Sequence, residues 1–335
     1  MNGFFKFSSL ACFLTLAALG CPAVPNAQHT KTASATLVRS RQASSTQEPT
    51  SEINAPFIVN TDLITFNVTV TDPQGRFVPG LKRDAFRLYD EKQPQRIDFF
   101  SDDDRPLSIG IVFDVSGSMR PERIKNAEEA LRHFIETSDE DDDYFLLAFN
   151  SRSQILIENT HDTTSLLNTL VEVHPHGNTA LLDAVYLAVN KLQMARQDRR
   201  ALLLITDGGE NDSRYKFSQV VRVLEESGVM LYSVGMLNSI DLASKPGFTA
   251  HVLLHELAKT TGGRDFFPQN AAEMDEDFEK IALELRHQYS IGYRPKDFKR
   301  DGKWHRVKVE MSPESDLPHL IVRSRQGYFA LAHPK

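Results

Sequence analysis

The sequence predicts an α/β fold: a doubly wound, mostly parallel sheet flanked by helices, accompanied by a β-sandwich-like region from strands at either end. Three observations carry this. Between residues 105 and 287, short apolar runs alternate with amphipathic stretches of helical period. The runs are apolar throughout, as strands are when both faces are covered, and strands alternating with helices imply a parallel sheet. Before and after that stretch the hydrophobic period falls to two, the mark of strands with one buried face.

Taken in order, the chain opens on an export signal. Residues 1–27 carry one lysine, Lys6, then the apolar core LACFLTLAAL (10–19), too short for a stable membrane span, then small residues. Cleavage after Ala27 would release a soluble protein. Cleavage before Cys21 would make a lipoprotein, since ALGC resembles a lipobox, although Ala18 stands where such boxes prefer Leu and Leu19 where they prefer a small residue. An uncleaved anchor is the third outcome. The expected location is therefore periplasmic, extracellular or tethered to a membrane through a lipid on Cys21. Residues 28–53 are rich in Ser, Thr, Ala and Gln, and are expected to form a disordered linker reaching roughly 25–30 Å.

Residues 54–104 form an N-terminal β segment. Ile64, Phe66, Val68 and Val70 share one face, and Thr65, Asn67, Thr69 and Thr71 are expected on a wet one. DPQG (72–75) is a turn signal, and AFRLYD and RIDFF are further short strands. The α/β unit, 105–287, has strand candidates at 107–113, 144–149, 201–206 and 229–235. Its predicted helix faces are Ile124/Ala127/Leu131/Phe134/Ile135, Leu181/Ala184/Val185/Ala188/Leu192, Phe217/Val220/Val221/Leu224 and Met274/Phe278/Ile281/Ala282/Leu285. Residues 288–335 return to period two. They lack a domain-sized companion, so they are expected to pair with 54–104, making the α/β unit an insertion within a sandwich.

Composition narrows the function. With 38 basic and 45 acidic residues the formal charge is −7, which disfavours nucleic acid as a partner. Both cysteines, Cys12 and Cys21, lie in the leader, so the body has neither disulfides nor a thiolate metal site.

In a doubly wound sheet, sites form at the carboxyl ends of strands. Asp114, Ser116 and Ser118 close the first strand of the unit. Thr179 stands at the start of an amphipathic helix, and Asp207 closes the ALLLIT strand. Each alone is explained by a turn or a helix cap. Together they offer two carboxylates and three hydroxyls, an oxygen-only set that suits a hard divalent cation such as Mg²⁺.

DVSGS, the Thr of a GNTA loop and the Asp of a TDG turn resemble the metal-ion-dependent adhesion site (MIDAS) of the von Willebrand factor A domain, found also in integrin I domains. All five positions occur in the family's order. The flanks GRFVPGLKRDAFRLYDEKQPQRI and QYSIGYRP…RQGYFA resemble, more loosely, an exported bacterial family related to that domain, the acidobacterial type. The resemblance implies that Ser116 and Ser118 bind Mg²⁺ (or Mn²⁺ or Ca²⁺) directly. Thr179 would bind directly or through water, and Asp114 and Asp207 would hold coordinated waters. One coordination position is left for a Glu or Asp of a partner protein.

Other clusters have plainer readings. SDEDDD (138–143) reads as a solvated loop, and His174 and His176 as loop histidines beside the site. Glu210, Asn211 and Asp212 are placed to line its rim. VSGS lacks the glycine of a GxSxG elbow, and no acid/base pair accompanies the serines, so an enzyme is not expected. The expected function is metal-dependent protein binding. A scaffold whose metal only stabilises the fold is the alternative, and a hydrolase the third.

Overall fold

The computed structural model describes residues 63–171, 174–296, 301–312 and 319–330, all within one compact unit, Val59–Lys335. The leader and linker expected at 1–53 lie outside the described residues.

The first strands are β1 (Ile64–Thr71), β2 (Phe86–Asp90), β3 (Gln93–Gln95) and β4 (Phe99–Ser101). Between β1 and β2 the DPQG turn forms as its residues dictate. The Asp72 carboxylate accepts the Gln74 and Arg76 amides at 2.9 Å, and Gly75 takes φ +79°.

The α/β unit follows: β5 (Leu107–Asp114), α1 (Pro121–Glu136), β6 (Asp143–Phe149), β7 (Ser153–Thr160), α2 (Thr163–Val171), α3 (Leu181–Gln193), β8 (Arg199–Thr206), α4 (Phe217–Ser227), β9 (Met230–Gly235), α5 (Ser239–Ala243), α6 (Lys245–Thr261), β10 (Arg264–Phe266) and α7 (Ala271–Arg286). The sheet order is β10-β9-β8-β5-β6-β7, parallel except for the antiparallel edge strand β7. Alternation along β5 divides two cores. Ile109, Ile111 and Phe113 pack with α1 and α7, while Val112 packs with α3, α4 and α6. All eight residues of β5 are buried, the two-sided burial that its unbroken apolar run implies.

The chain closes with β11 (Tyr289–Tyr293), β12 (Trp304–Met311), β13 (Ile321–Ser324) and β14 (Gly327–Phe329). These strands interleave with the first four in two antiparallel sheets, β13-β1-β11-β4 and β14-β12-β2-β3. Phe66, Val68, Tyr289 and Ile291 from one sheet meet Leu88, Val307, Val309 and Tyr328 from the other in a separate core. The sandwich therefore uses both ends of the chain, with the α/β unit inserted between β4 and β11.

Several local expectations give way. Thr69 and Thr71 are buried, at 0% and 2% exposure, not wet. Thr69 lies opposite Arg323 of β13, and Arg323 reaches Glu284 of α7 at 2.7 Å, so the α/β unit covers that face of the sheet. Phe217, placed on an apolar face, is 38% exposed at the first turn of α4. The strand expected from RIDFF shrinks to Phe99–Ser101. SDEDDD is not wholly solvated: Asp142 is buried, accepts the Leu107 amide at 2.8 Å and pairs with Arg286.

Candidate metal-binding site

The site is built at the carboxyl end of β5 and β8. Asp114 is the last residue of β5, and its two oxygens have different partners. Oδ1 accepts the Ser116 amide at 2.8 Å, which turns the chain sharply out of the strand. Oδ2 accepts the Thr206 hydroxyl at 2.6 Å across the junction between β5 and β8. The turn aims the hydroxyls of Ser116 and Ser118 to one side, where their oxygens lie 3.1 Å apart. Ser116 is buried and Ser118 exposed, so the pair runs from the interior to the surface.

Thr179 and Asp207 arrive from two other loops. Asn211 fixes Thr179: its Oδ1 accepts the Thr179 amide at 3.0 Å, and its own amide donates to the Thr179 carbonyl at 3.0 Å. The backbone groups of Thr179 are thus taken. Its Oγ1 and the Asp207 Oδ1 each lie 3.3 Å from the point where a side chain on Gly209 would begin. Any residue but glycine at 209 would fill the space between them. Gly208 is equally constrained: it takes φ +75°, and a Cβ there would lie 2.6 Å from that of Ala250 in α6.

All five residues singled out in the sequence therefore converge. Asp114 holds Ser116, Ser116 meets Ser118, and Asp207 stands beside Thr179. Ser118, Thr179 and Asp207 open into one cavity of about 380 Å³, whose far wall is α5 and the start of α6.

The plainer explanation, helix capping, accounts for none of these hydroxyls. Helix α1 starts at Pro121 with Arg120 at its N-cap and no side-chain cap. Helix α3 has Ala180 at its N-cap, again without a side-chain cap; Glu210 takes the Leu182 amide at 2.9 Å. A set of hydroxyls and carboxylates brought together and left unused by the helices beside them fits a hard divalent cation.

The electrostatics agree. Burial pushes the Asp114 carboxyl up to about 6, and the nearby charge of Asp207 adds to the rise against the opposing hydrogen bonds from Thr206 and Ser116. A divalent ion bound beside Asp114 would relieve this cost.

The family model of the von Willebrand factor type A domain matches residues 108–282. This chain belongs to the von Willebrand factor type A domain family. An uncharacterized protein of Synechocystis sp. is 30% identical over 122 residues, covering 34% of this chain and 29% of that protein. Human inter-alpha-trypsin inhibitor heavy chain H2 is 23% identical over 212 residues, covering 53% of this chain and 22% of that one. The matches thus take in less than a third of either relative. Among solved structures, the von Willebrand factor domain of the type V pili tip protein of Porphyromonas gingivalis aligns with 54% of this chain and 97% of its own, at 13% identity and TM-score 0.44. Proximal thread matrix protein 1 of the mussel byssus, solved with a zinc-occupied MIDAS motif, aligns over 58% and 49%, at 16% identity and TM-score 0.46.

Within this type A domain, one residue that sequence reasoning passed over supports the site. Thr206 donates to Asp114 and accepts the Gly208 amide at 2.9 Å, linking two of the loops. Its only signal in the sequence is its place at the end of the β8 run. Glu210, expected at the rim, is turned onto the start of α3, where it also accepts the Ser213 hydroxyl at 2.8 Å. Asn211 does line the cavity. His176 packs beside the site as a structural residue: its ring meets Asn150 at 3.1 Å and the His174 carbonyl at 2.8 Å.

Proposed function

We propose that this protein is an exported, cation-dependent protein-binding module. Asp114, Ser116, Ser118, Thr179 and Asp207 would hold Mg²⁺, with Mn²⁺ or Ca²⁺ as substitutes, and a Glu or Asp of a partner protein would complete the coordination. The supporting observation is that Ser118, Thr179 and Asp207 open into one cavity, with Ser116 and Asp114 buried directly behind Ser118. Neutral hydroxyl ligands leave a bound cation most of its positive charge, which then attracts an incoming carboxylate.

The cavity walls suit such a partner. Arg120 lines the opening and adds positive charge. Asp241, the chain's own carboxylate on the far wall, is taken: Arg123 donates to it at 2.6 Å and holds its carboxyl below the usual range. Glu210, which could have competed for the cation, caps α3 instead. On the two helices that form the far wall, Ile240 of α5 and Phe248 of α6 are 81% and 63% exposed, apolar surface of the kind found in protein interfaces.

Binding fits the site better than catalysis. Ser116 and Ser118 hydrogen-bond each other, and the neighbouring His176 ring is engaged by Asn150 and a carbonyl, so that imidazole is not placed as the base a serine nucleophile needs. Export rests on the pattern of residues 1–27, with Cys21 the point of any lipid anchor. Among the described residues no helix is long and apolar enough to cross a membrane.

Calorimetric titration of Mg²⁺ and Mn²⁺ into the protein, alongside Ser118→Ala and Thr179→Ala, tests this. Saturable binding weakened at least tenfold in both variants is expected. A Glu-containing peptide should then associate in Mg²⁺ and not in chelator. Wild-type protein that binds neither cation would overturn the reading.

A further inference from the structure

A second group of metal-ligating side chains lies in the sandwich, among residues the type A domain does not include. Among the described residues, ligand atoms of Asp90, Glu91 and His305 all lie within 4.8 Å of one another. The register explains how. Asp90, at the end of β2, stands opposite Val307 of β12, and His305 is two residues back on the same face. His305 in turn stands opposite Tyr328 of β14, and their rings stack with centroids 5.3 Å apart. Glu91 follows Asp90 in a tight turn with φ 46°, and Lys92 with φ 68°. That turn folds Glu91 back over β12, where its Oε1 accepts the Arg306 amide at 2.7 Å.

Asp90 is the observation that points to a ligand. It is only 7% exposed, and among the described residues its buried Oδ1 has no hydrogen-bond partner. Its other oxygen is provided for: the Tyr293 hydroxyl donates to Oδ2 at 2.8 Å. A buried carboxylate oxygen left unpartnered is costly. The nearest imidazole does not remove that cost, because His305 Nδ1 is 3.9 Å from Oδ1, beyond hydrogen-bond range. A cation between them would bond both.

We propose that Asp90, Glu91 and His305 form a second cation site, selective for a divalent transition ion of the zinc class. One imidazole and two carboxylates are the ligand types such an ion prefers, whereas Mg²⁺ and Ca²⁺ favour oxygen alone. Zinc bonds these atoms at about 2.0–2.2 Å, so closing a 4.8 Å triangle around it needs each donor to move by less than ~1 Å. Glu91 is exposed and His305 half-buried, so both have room to move and the ion has a way in. Tyr293 orients Asp90 from the facing sheet, as outer partners of metal ligands do. The ion would tie the β2–β3 turn to β12 and so close one end of the sandwich. The cluster belongs to the sandwich, so it does not depend on the cation site of the type A domain.

The test is zinc calorimetry and bound-metal analysis on chelator-stripped protein carrying Ser118→Ala and Asp207→Ala, which removes ligands of the first site. That protein should still bind zinc, and adding His305→Gln should remove one equivalent or weaken it at least tenfold. Glu91→Gln, which keeps an acceptor for the Arg306 amide, should weaken it as well. Zinc should raise the unfolding midpoint of the parent and not that of His305→Gln. Equal zinc stoichiometry and affinity in the parent and both variants would overturn the proposal, and so would no zinc binding in the parent.

Discussion

Replacing Asp114 with Asn separates the electrostatic cost of the cation site from its packing. The folded protein holds the Asp114 proton up to a pH of about 6, against an ordinary value of 3.8. Below 3.8 the group is protonated in both folded and unfolded chains and costs nothing. As pH rises, the unfolded chain releases the proton first, so stability falls until the folded carboxyl has also ionised above 6. The full cost is roughly 3 kcal/mol, because each pH unit between the two values contributes about 1.36 kcal/mol. About half of it, ~1.5 kcal/mol, accrues between pH 5 and 7.5 by the same linkage. Asn cannot titrate and keeps the acceptor for the Ser116 amide. In chelator, urea denaturation should therefore show the variant gaining about 1.5 kcal/mol on wild type between pH 5 and 7.5. With Mn²⁺ at a hundred times its dissociation constant, wild type should recover about 2.7 kcal/mol at pH 7.5, and the variant much less. Parallel pH profiles in chelator would refute the claim that Asp114 is destabilised by burial and repulsion.

Three more outcomes follow from the geometry. Gly208→Ala puts a methyl against Ala250 at a positive φ, and should cost about 1–3 kcal/mol in denaturation while weakening cation binding through Asp207. Thr206→Val keeps the shape but removes the donor to Asp114 and the acceptor of the Gly208 amide; a loss of about 1–3 kcal/mol is expected, without loss of secondary structure by circular dichroism. A chain ending at residue 287 strips β1 of both neighbours, β11 and β13, and should aggregate on purification, whereas a soluble, monomeric product would contradict the shared sandwich.

Much of this molecule is local in its causes. The apolar runs at 107–113 and 201–206 become buried central strands because a strand's surroundings are written in its own period. The five oxygen-bearing residues could be found because each follows a strand or precedes a helix, and because together they stand in the order of a known motif. Elements with weak periodicity were not legible. Strand β7 is half exposed along its length, and α6 carries exposed Phe248 and Val252 beside buried Leu254 and Leu257, so neither shows a clean face.

The sequence by itself determined the α/β class and the two flanking β segments, since each depends on periodicity within a few residues, and it singled out the five residues proposed to hold the cation. Only the tertiary structure decided what those residues do to one another. Thr206 became a partner of Asp114 because β8 lies beside β5. Glu210 left the cavity because the start of α3 offered it an unpaired amide. Thr69 was buried because an inserted domain covers its sheet. Asp90 and His305 are 215 positions apart in the chain, and no local pattern brings a carboxylate and an imidazole together over that distance. Pairing of β2 with β12 does so, because hydrogen bonding between strands sets which side chains share a face.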